Sequence, residues 1–415
     1  MKRFLYLCSV TALLLGGCAH AGKPVAVQSY PFSFTEVSQG LPAEGMWRQH
    51  IALHDMNSDG MLDIVVPPSR KSGDQYYMPV IFLYAAAGGG WEKATFDFPP
   101  LNEYGYGSVA VRDLDNDGNP DIALAVHTGN VVILRNSGEG SFARMPFHYA
   151  FPFSSRAIAS DDLDGDGRPD IIAFAEVSAR KKSDRPKVGL LLGMNRAGNE
   201  WEARAVEASR GISGDSVATG DVNGDGAKDI LIAPLTNIKE NKKIVWFNDG
   251  KGEFAAYKGD LAGDLLPSVV QAGDIDGDGK DEVIIIMSGS DFLTPKYFVY
   301  TFMWDGSAFS ETSSRMEFEE APAAMDVVDI DGDNRKEVIV LCKGGIDIFQ
   351  YTESGWSKAG HQKLPAKESV GVYDLRAGVN RDGSVLVVYN LGNEPNAKAW
   401  NNGLRAYLVK PGSRN

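Results

Sequence analysis

The feature that most constrains this chain is a nine-residue acidic pattern that recurs along almost its whole length. Oxygen-bearing side chains fill positions 1, 3, 5 and 9, and glycine sits at position 6 in all but one of the intact copies. The copies are Asp55, Asn57, Asp59 and Asp63; Asp113, Asp115, Asp117 and Asp121; and Asp162, Asp164, Asp166 and Asp170. Three more follow: Asp221, Asn223, Asp225 and Asp229; Asp274, Asp276, Asp278 and Glu282; and Asp329, Asp331, Asp333 and Glu337. A seventh, worn copy keeps Asn380, Asp382 and Gly383 but has Gly378 at position 1 and Leu386 at position 9. First positions lie 49 to 59 residues apart, which leaves room for about four strands per unit. Units of this kind bury their apolar faces only against one another.

Each unit reads strand by strand. Before the acidic loop comes a short apolar segment, such as 108–111, 157–159 or 216–218, with alanine three residues ahead of the loop in four copies. Small residues suit an innermost strand, where neighbouring units crowd an axis. After the loop comes a β-branched run, such as Ile64 to Val66, Ile230 to Ile232 or Val338 to Val340, the mark of a strand buried on both faces. A variable loop, a third strand and a Gly-rich turn lead to an aromatic: Trp91, Phe142, Trp201, Phe254, Phe309 or Trp356. From each aromatic to the next loop's first position is 22, 20, 20, 20, 20 and 22 residues. Phe34 precedes Asp55 by 21 residues, so 32–37 reads as an outer strand with no unit of its own, whereas the last unit stops after a third strand at 404–409. The expected fold is therefore all-β, a seven-bladed β-propeller over residues 31–415. Its N-terminal strand completes the last blade and leaves no sheet edge free.

The acidic loop is where chemistry enters. Oxygens at 1, 3, 5 and 9 around a turn glycine resemble the start of an EF-hand, in which a hard cation takes six to eight oxygens. An EF-hand needs Glu at position 12 and flanking helices, whereas position 12 here is apolar or small, as in Val66, Leu124 and Ala173, and strands flank the loop. The units instead resemble the FG-GAP or VCBS repeats of integrin α-subunit propellers. That resemblance covers nearly the whole chain beyond residue 30 and implies Ca²⁺ between the first two strands of each blade. Charge supports it: 22 carboxylates crowd the six intact loops and would repel one another without a cation. The alternative, metal-free Asx turns, needs one or two such residues per loop rather than four in register. About six structural Ca²⁺ are expected, with the seventh loop empty.

Lys+Arg 41 against Asp+Glu 55 gives a net charge of −14, which excludes a nucleic-acid binder with a basic face. Met1, Lys2 and Arg3 open a leader whose apolar stretch is too short to span a membrane once mature, and Leu15, Gly16, Gly17 and Cys18 follow. That tetrapeptide resembles the lipobox of bacterial lipoproteins. It implies a signal peptide over 1–17, acylation of Cys18, a tether over 18–30 and export to the cell envelope. Ala19 after the cysteine implies the outer membrane if the host is Gram-negative. Cys342 then remains as a buried structural thiol in an apolar run.

Recognition is expected on the face opposite the acidic loops, where the variable loops 67–78, 176–187, 234–243, 288–296 and 390–403 emerge. Two are basic in an acidic protein, through Arg180, Lys181, Lys182, Arg185 and Lys187, and Lys239, Lys242 and Lys243. Aromatics accompany them: Tyr76, Tyr77, Tyr104, Tyr106, Phe151, Phe153 and Trp400. Such a surface suits an anionic polysaccharide or an acidic protein, and solvated lysines are the plainer reading. Catalysis finds little support. His50, His54, His127, His148 and His361 are scattered, with no zinc-like spacing and no Gly-x-Ser-x-Gly elbow. The reading favours a binding module. A polysaccharide lyase, supported only by fold-level resemblance, and a structural subunit of an envelope complex are its alternatives.

Overall fold

A β-branched run buried on both faces needs a sheet packed on each side of it, and stacking blades around a ring supplies both. The computed structural model describes residues 31–412, apart from 45–46, 48–49, 68–77, 86–87, 102–106, 128, 150–152, 177–187, 199, 236–241, 289–296, 366–371 and 392–402. Seven antiparallel sheets follow one another along the chain. Their inner strands are Ala52–His54, Val109–Arg112, Ser155–Asp161, Gly214–Gly220, Leu266–Gly273, Pro322–Val328 and Val372–Val379. In the first six sheets, strands run inner to outer in sequence order. In the seventh, Leu404–Pro411 pairs with Phe32–Glu36, so the chain's first described strand is the last blade's outer one. The register runs from Phe32 opposite Pro411 to Glu36 opposite Tyr407. The seven-bladed closure read from the sequence is what the structure shows.

The cores lie between blades rather than within them. Seven apolar clusters form, each built from two adjacent blades, including one joining the seventh blade to the first. The second strands Asp63–Val66, Asp121–Leu124 and Glu337–Cys342 are buried at every position. The outer-strand aromatics pin this arrangement: Trp91 lies 4.9 Å from Tyr84, and Phe247 of the fourth blade stacks on Phe309 of the fifth at 6.1 Å. Cys342 is buried as expected, and burial pushes its thiol up to about 12, so it is no nucleophile. The sequence did not announce one detail. The fifth blade's outer position is split between Phe309–Glu311 and Met316–Phe318, both paired to Tyr297–Trp304.

Because closure depends on a single strand from the other end of the chain, deleting residues 31–37 exposes an unpaired edge. The expected outcome is a fall in Tm of roughly 5 °C or more and self-association in size-exclusion chromatography. An unchanged melt and a monomeric profile would show that closure is dispensable.

Candidate functional site

The acidic loop is a chain of Asx turns. Position 1 holds it: Asp55 accepts the Asp59 N–H at 3.1 Å and the Gly60 N–H at 2.7 Å, and Asp113, Asp162 and Asp221 repeat the pair. Position 5 accepts the N–H of position 7, from Asp59 to Asp333, at 2.8–2.9 Å. Two residues turn left-handed. Position 6 has φ of 94° at Gly60 and 68° at Asn334, and position 4 has φ of 62° at Ser58, 58° at Asn116 and 75° at Gly165. Only glycine, or a short polar side chain that bonds locally, takes φ in this region at low cost.

Position 9 ties the loop to the sheet. Asp63 is fully buried, and its two oxygens accept the Met56 N–H of the loop and the Tyr84 N–H of the third strand, each at 2.8 Å. Asp121, Asp170 and Asp229 repeat this with Leu114 and Asn136, Leu163 and Asn195, and Val222 and Asn248. Glu282 and Glu337 accept the equivalent loop N–H groups of Ile275 and Ile330 at 3.0 and 2.7 Å. Burial pushes the four aspartates and Glu337 up to about 7, and Glu282 up to about 8.

Turn chemistry thus accounts for positions 1 and 5, and for position 3 where Asn57, Asn223, Asp276 and Asp331 accept the N–H of position 5; sheet pairing accounts for position 9, which leaves Asp115 and Asp164. The Asp115 side chain is 7 % exposed and that of Asp164 12 %, and Oδ1 of each is buried without a hydrogen-bond partner among the described residues. Their other oxygens meet Arg135 and Arg196. A buried anionic oxygen with no donor is costly unless a cation serves it. In four loops three carboxylates bring oxygens within 4.8 Å of one another: Asp113, Asp115 and Asp121; Asp162, Asp164 and Asp170; Asp274, Asp276 and Glu282; and Asp329, Asp331 and Asp333. These clusters can hold a metal ion. In the first and fourth loops Asn57 and Asn223 stand at position 3 and bond instead to Asp59 and Asp225. The seventh is a tight turn in which Asn380 accepts the Leu62 N–H of the first blade at 2.8 Å.

The expected lipidation site Cys18 lies outside the described residues, as do, of the expected ligand-face residues, Tyr76, Tyr77, Tyr104, Tyr106, Phe151, Arg180, Lys181, Lys182, Arg185, Lys187, Lys239 and Trp400. Lys242 and Lys243 are half-buried, with Lys243 Nζ 5.9 Å from the Trp246 ring centroid, and Phe153 is buried in the core. The scattered histidines acquire partners through the fold. His50 Nδ1 lies 3.2 Å from Asp374 Oδ1, His127 bonds Glu176, and His361 Nδ1 lies 2.7 Å from Asp347 Oδ1. Burial, aided by Arg112, lowers the His54 pKa.

Sequence reasoning missed a second repeating side chain. Asn195 and Asn248, buried at the ends of third strands, donate to the loop carbonyls of the preceding blade, Asn248 Nδ2 to Leu163 O at 2.8 Å. Asn248 also donates to Lys228 O at 3.0 Å within its own blade, as Asn136 does to Pro120 O. An asparagine just before the Gly-containing turns of blades 2, 3 and 4, at Asn136, Asn195 and Asn248, was the available signal.

Blades, loops and closure together define a seven-bladed β-propeller. Residues 113–173 and 221–285 match the FG-GAP-like repeat model. The chain is similar to integrin alpha-4 of Xenopus laevis, 28% identical over 143 residues, a match spanning 31% of this chain and 14% of the relative. Its fold is similar to that of BBS1N, solved in complex with ARL6DN, with a TM-score of 0.53 at 14% identity over 92% of this chain and 96% of that one. The WD40 domain of Toxoplasma gondii coronin gives a TM-score of 0.53 at 11% identity over 94% and 89%. At these identities the likeness is one of fold.

Two outcomes follow from the loop geometry. A carboxyl whose folded pKa is raised stabilises the fold fully below its unfolded value, and that contribution is lost as pH rises through the folded one. In chelator, Tm should therefore fall between about pH 4 and pH 7, while added divalent cation, which needs ionised ligands, stabilises most at the upper end. The gap between metal-loaded and chelated melts should widen with pH and exceed roughly 10 °C at pH 8, several ions each adding about 2–3 kcal/mol. Equal melts with and without EDTA would refute metal loading. Asn248→Ala removes the donor to the buried Leu163 carbonyl and to the partly buried Lys228 carbonyl and should cost about 2–4 kcal/mol in urea unfolding.

Proposed function

We propose that this chain is a calcium-stabilised interaction module, tethered to the cell envelope through an acylated Cys18, that binds a protein or polysaccharide with its variable-loop face. One observation carries the reading. The acidic loops occupy one rim of the ring, where they tie blades together, so recognition falls to the opposite rim with its longest connections. An FG-GAP propeller is an interaction-mediating scaffold, and the similarity to an integrin α-chain favours a protein partner. Calcium is favoured over other ions because the loops offer only oxygen donors, with neutral Asn57 and Asn223 tolerated at position 3. Asp113, Asp115, Asp117 and Asp121, and their equivalents in the other intact loops, would hold it.

The envelope assignment rests on the leader sequence, and no helix among the described residues is long and apolar enough to cross a membrane. Cys18→Ala should move the protein from the membrane to the soluble fraction. Incubation with pectin, alginate and sulfated glycans, followed by absorbance of unsaturated products and by pull-down from native membranes, tests the rest. Calcium-dependent retention without turnover is expected. Product formation would replace the module with a lyase, and co-purification with one fixed partner whatever the calcium would favour a structural subunit.

A further inference from the structure

The acidic loops of blades 2, 3, 5 and 6 each carry four carboxylates, and they differ in what stands behind position 3. The third strand ends beside the loop, where Asn136 and Asn195 bond to the loop backbone of blades 2 and 3. The residues just before and just after that asparagine share the other face of the strand. In blade 2 the first of them is Arg135, and in blade 3 the second is Arg196. By strand register, Trp304 and Tyr351 take the asparagine's place in blades 5 and 6, flanked by Met303 and Asp305 and by Gln350 and Thr352. Neither pair holds a cation.

Both arginines reach the position-3 carboxylate of their own blade. Arg135 Nε meets Asp115 Oδ2 and its Nη2 lies 3.4 Å from Asp117 Oδ2, while Arg196 Nη1 donates to Asp164 Oδ2. Arg196 is held from behind: its Nη2 and Nε donate to Glu202 Oε2 at 2.9 and 3.1 Å, and Glu202 also accepts the Arg204 Nε–H at 2.8 Å. The Asp115 side chain, 7 % exposed, keeps Oδ1 buried without a hydrogen-bond partner among the described residues. Its carboxylate also brings an oxygen within 4.8 Å of those of Asp113 and Asp121. Each arginine therefore offsets the charge of position 3 while one oxygen stays available to a metal.

In blades 5 and 6, Asp276 and Asp331 instead accept the N–H of position 5, at 3.0 and 3.3 Å. Cations do stand near those loops, but Lys280 and Arg335 pair with position 5, where the Asp278 and Asp333 side chains are 41 % and 35 % exposed. Arg168 does the same to Asp166 in blade 3. Exposed pairs are screened by water and carry little.

We propose that Arg135 and Arg196 are resident cations that brace the metal-free loops of blades 2 and 3 and lower their affinity for a divalent ion, so that blades 5 and 6 fill first. This rests on the metal-loaded reading above. The cause is charge: a guanidinium and a divalent ion about 6 Å apart repel, even at the dielectric constant of water, by roughly a factor of ten in affinity.

Hydrogen exchange of the full chain during a Ca²⁺ titration, read by mass spectrometry on peptides covering 113–121, 162–170, 274–282 and 329–337, follows each loop separately. Protection of 274–282 and 329–337 is expected at lower Ca²⁺ than protection of 113–121 and 162–170. Arg135→Gln should move the 113–121 midpoint about tenfold lower, leave the other three in place and speed exchange of that loop in chelator. Arg196→Gln should do the same to 162–170. Arg135→Lys, which keeps the charge and loses the planar fork, should stay within about threefold of the unaltered chain. Protection of all four loops at one Ca²⁺ concentration, or a glutamine variant that binds Ca²⁺ no more tightly than the unaltered chain, would overturn the proposal and leave metal loading intact. Absence of Ca²⁺-dependent protection in every loop would remove both.

Discussion

The ninth-position carboxylate is the contact on which the ring depends. A single buried side chain begins the second strand, accepts an N–H from the loop before it and, in four blades, an N–H from the third strand. It therefore sets the turn and the register of three strands at once. The same burial that makes it an effective staple opposes its ionisation, as its raised pKa shows. A loop built on such a group has two stable ways to exist near neutrality: protonated, or ionised beside a cation. The acidic residues at positions 1, 3 and 5 make the second way available.

That local device matters because no blade has a core of its own. Each apolar cluster is shared by two neighbours, so the blades are stable only as a closed set. The acidic rim reinforces the sharing with direct bonds between loops. Asp281 accepts the Asp221 N–H at 2.9 Å, the Lys336 N–H donates to Asp274 O at 2.8 Å, and Arg381 N–H donates to Gly60 O at 2.8 Å. The seventh loop, which has lost its chelating pattern, keeps the bracing role through the Asn380 amide. At that blade a neutral side-chain amide does what the Asp281 carboxylate does between the fourth and fifth.

What could be read from the sequence and what could not divide along sequence distance. The four-strand unit, the acidic loop, the outer aromatic and the closing strand are local or strictly periodic, so spacing alone exposed them. The left-handed fourth position is carried in sequence by Gly165, Gly224, Gly277 and Gly332, but Ser58 and Asn116 stand there in the first two loops and break the glycine pattern that position 6 keeps. Pairings such as His50 with Asp374, or Arg156 with Asp215, join different blades and carry no periodic signal, because the axis is the one place where the seven units need not be alike. The bulges that interrupt pairing in the inner strands of blades 3 to 7 were hidden for a related reason: an extra residue in a strand of small side chains leaves the alternation of polar and apolar residues almost unchanged.

The two ends of the inner strands are therefore built for different work. At the acidic end of blades 4, 5 and 7 the strands approach so closely that a Cβ on Gly220 would lie 2.4 Å from Ala272 Cβ, one on Gly273 2.5 Å from Val327 Cγ1, and one on Gly378 2.6 Å from Leu62 Cδ1. Loops, staples and close contact leave that end little freedom. At the other end the same strands bulge away from regular pairing and surround a polar cavity. Ladder bonds lost there lower local stability, and a region of low local stability can adjust to a ligand when the remainder of the fold is held elsewhere. Bracing one rim with acidic loops is what permits irregular, charge-bearing strand starts at the opposite rim, so the acidic repeat shapes that end without touching it.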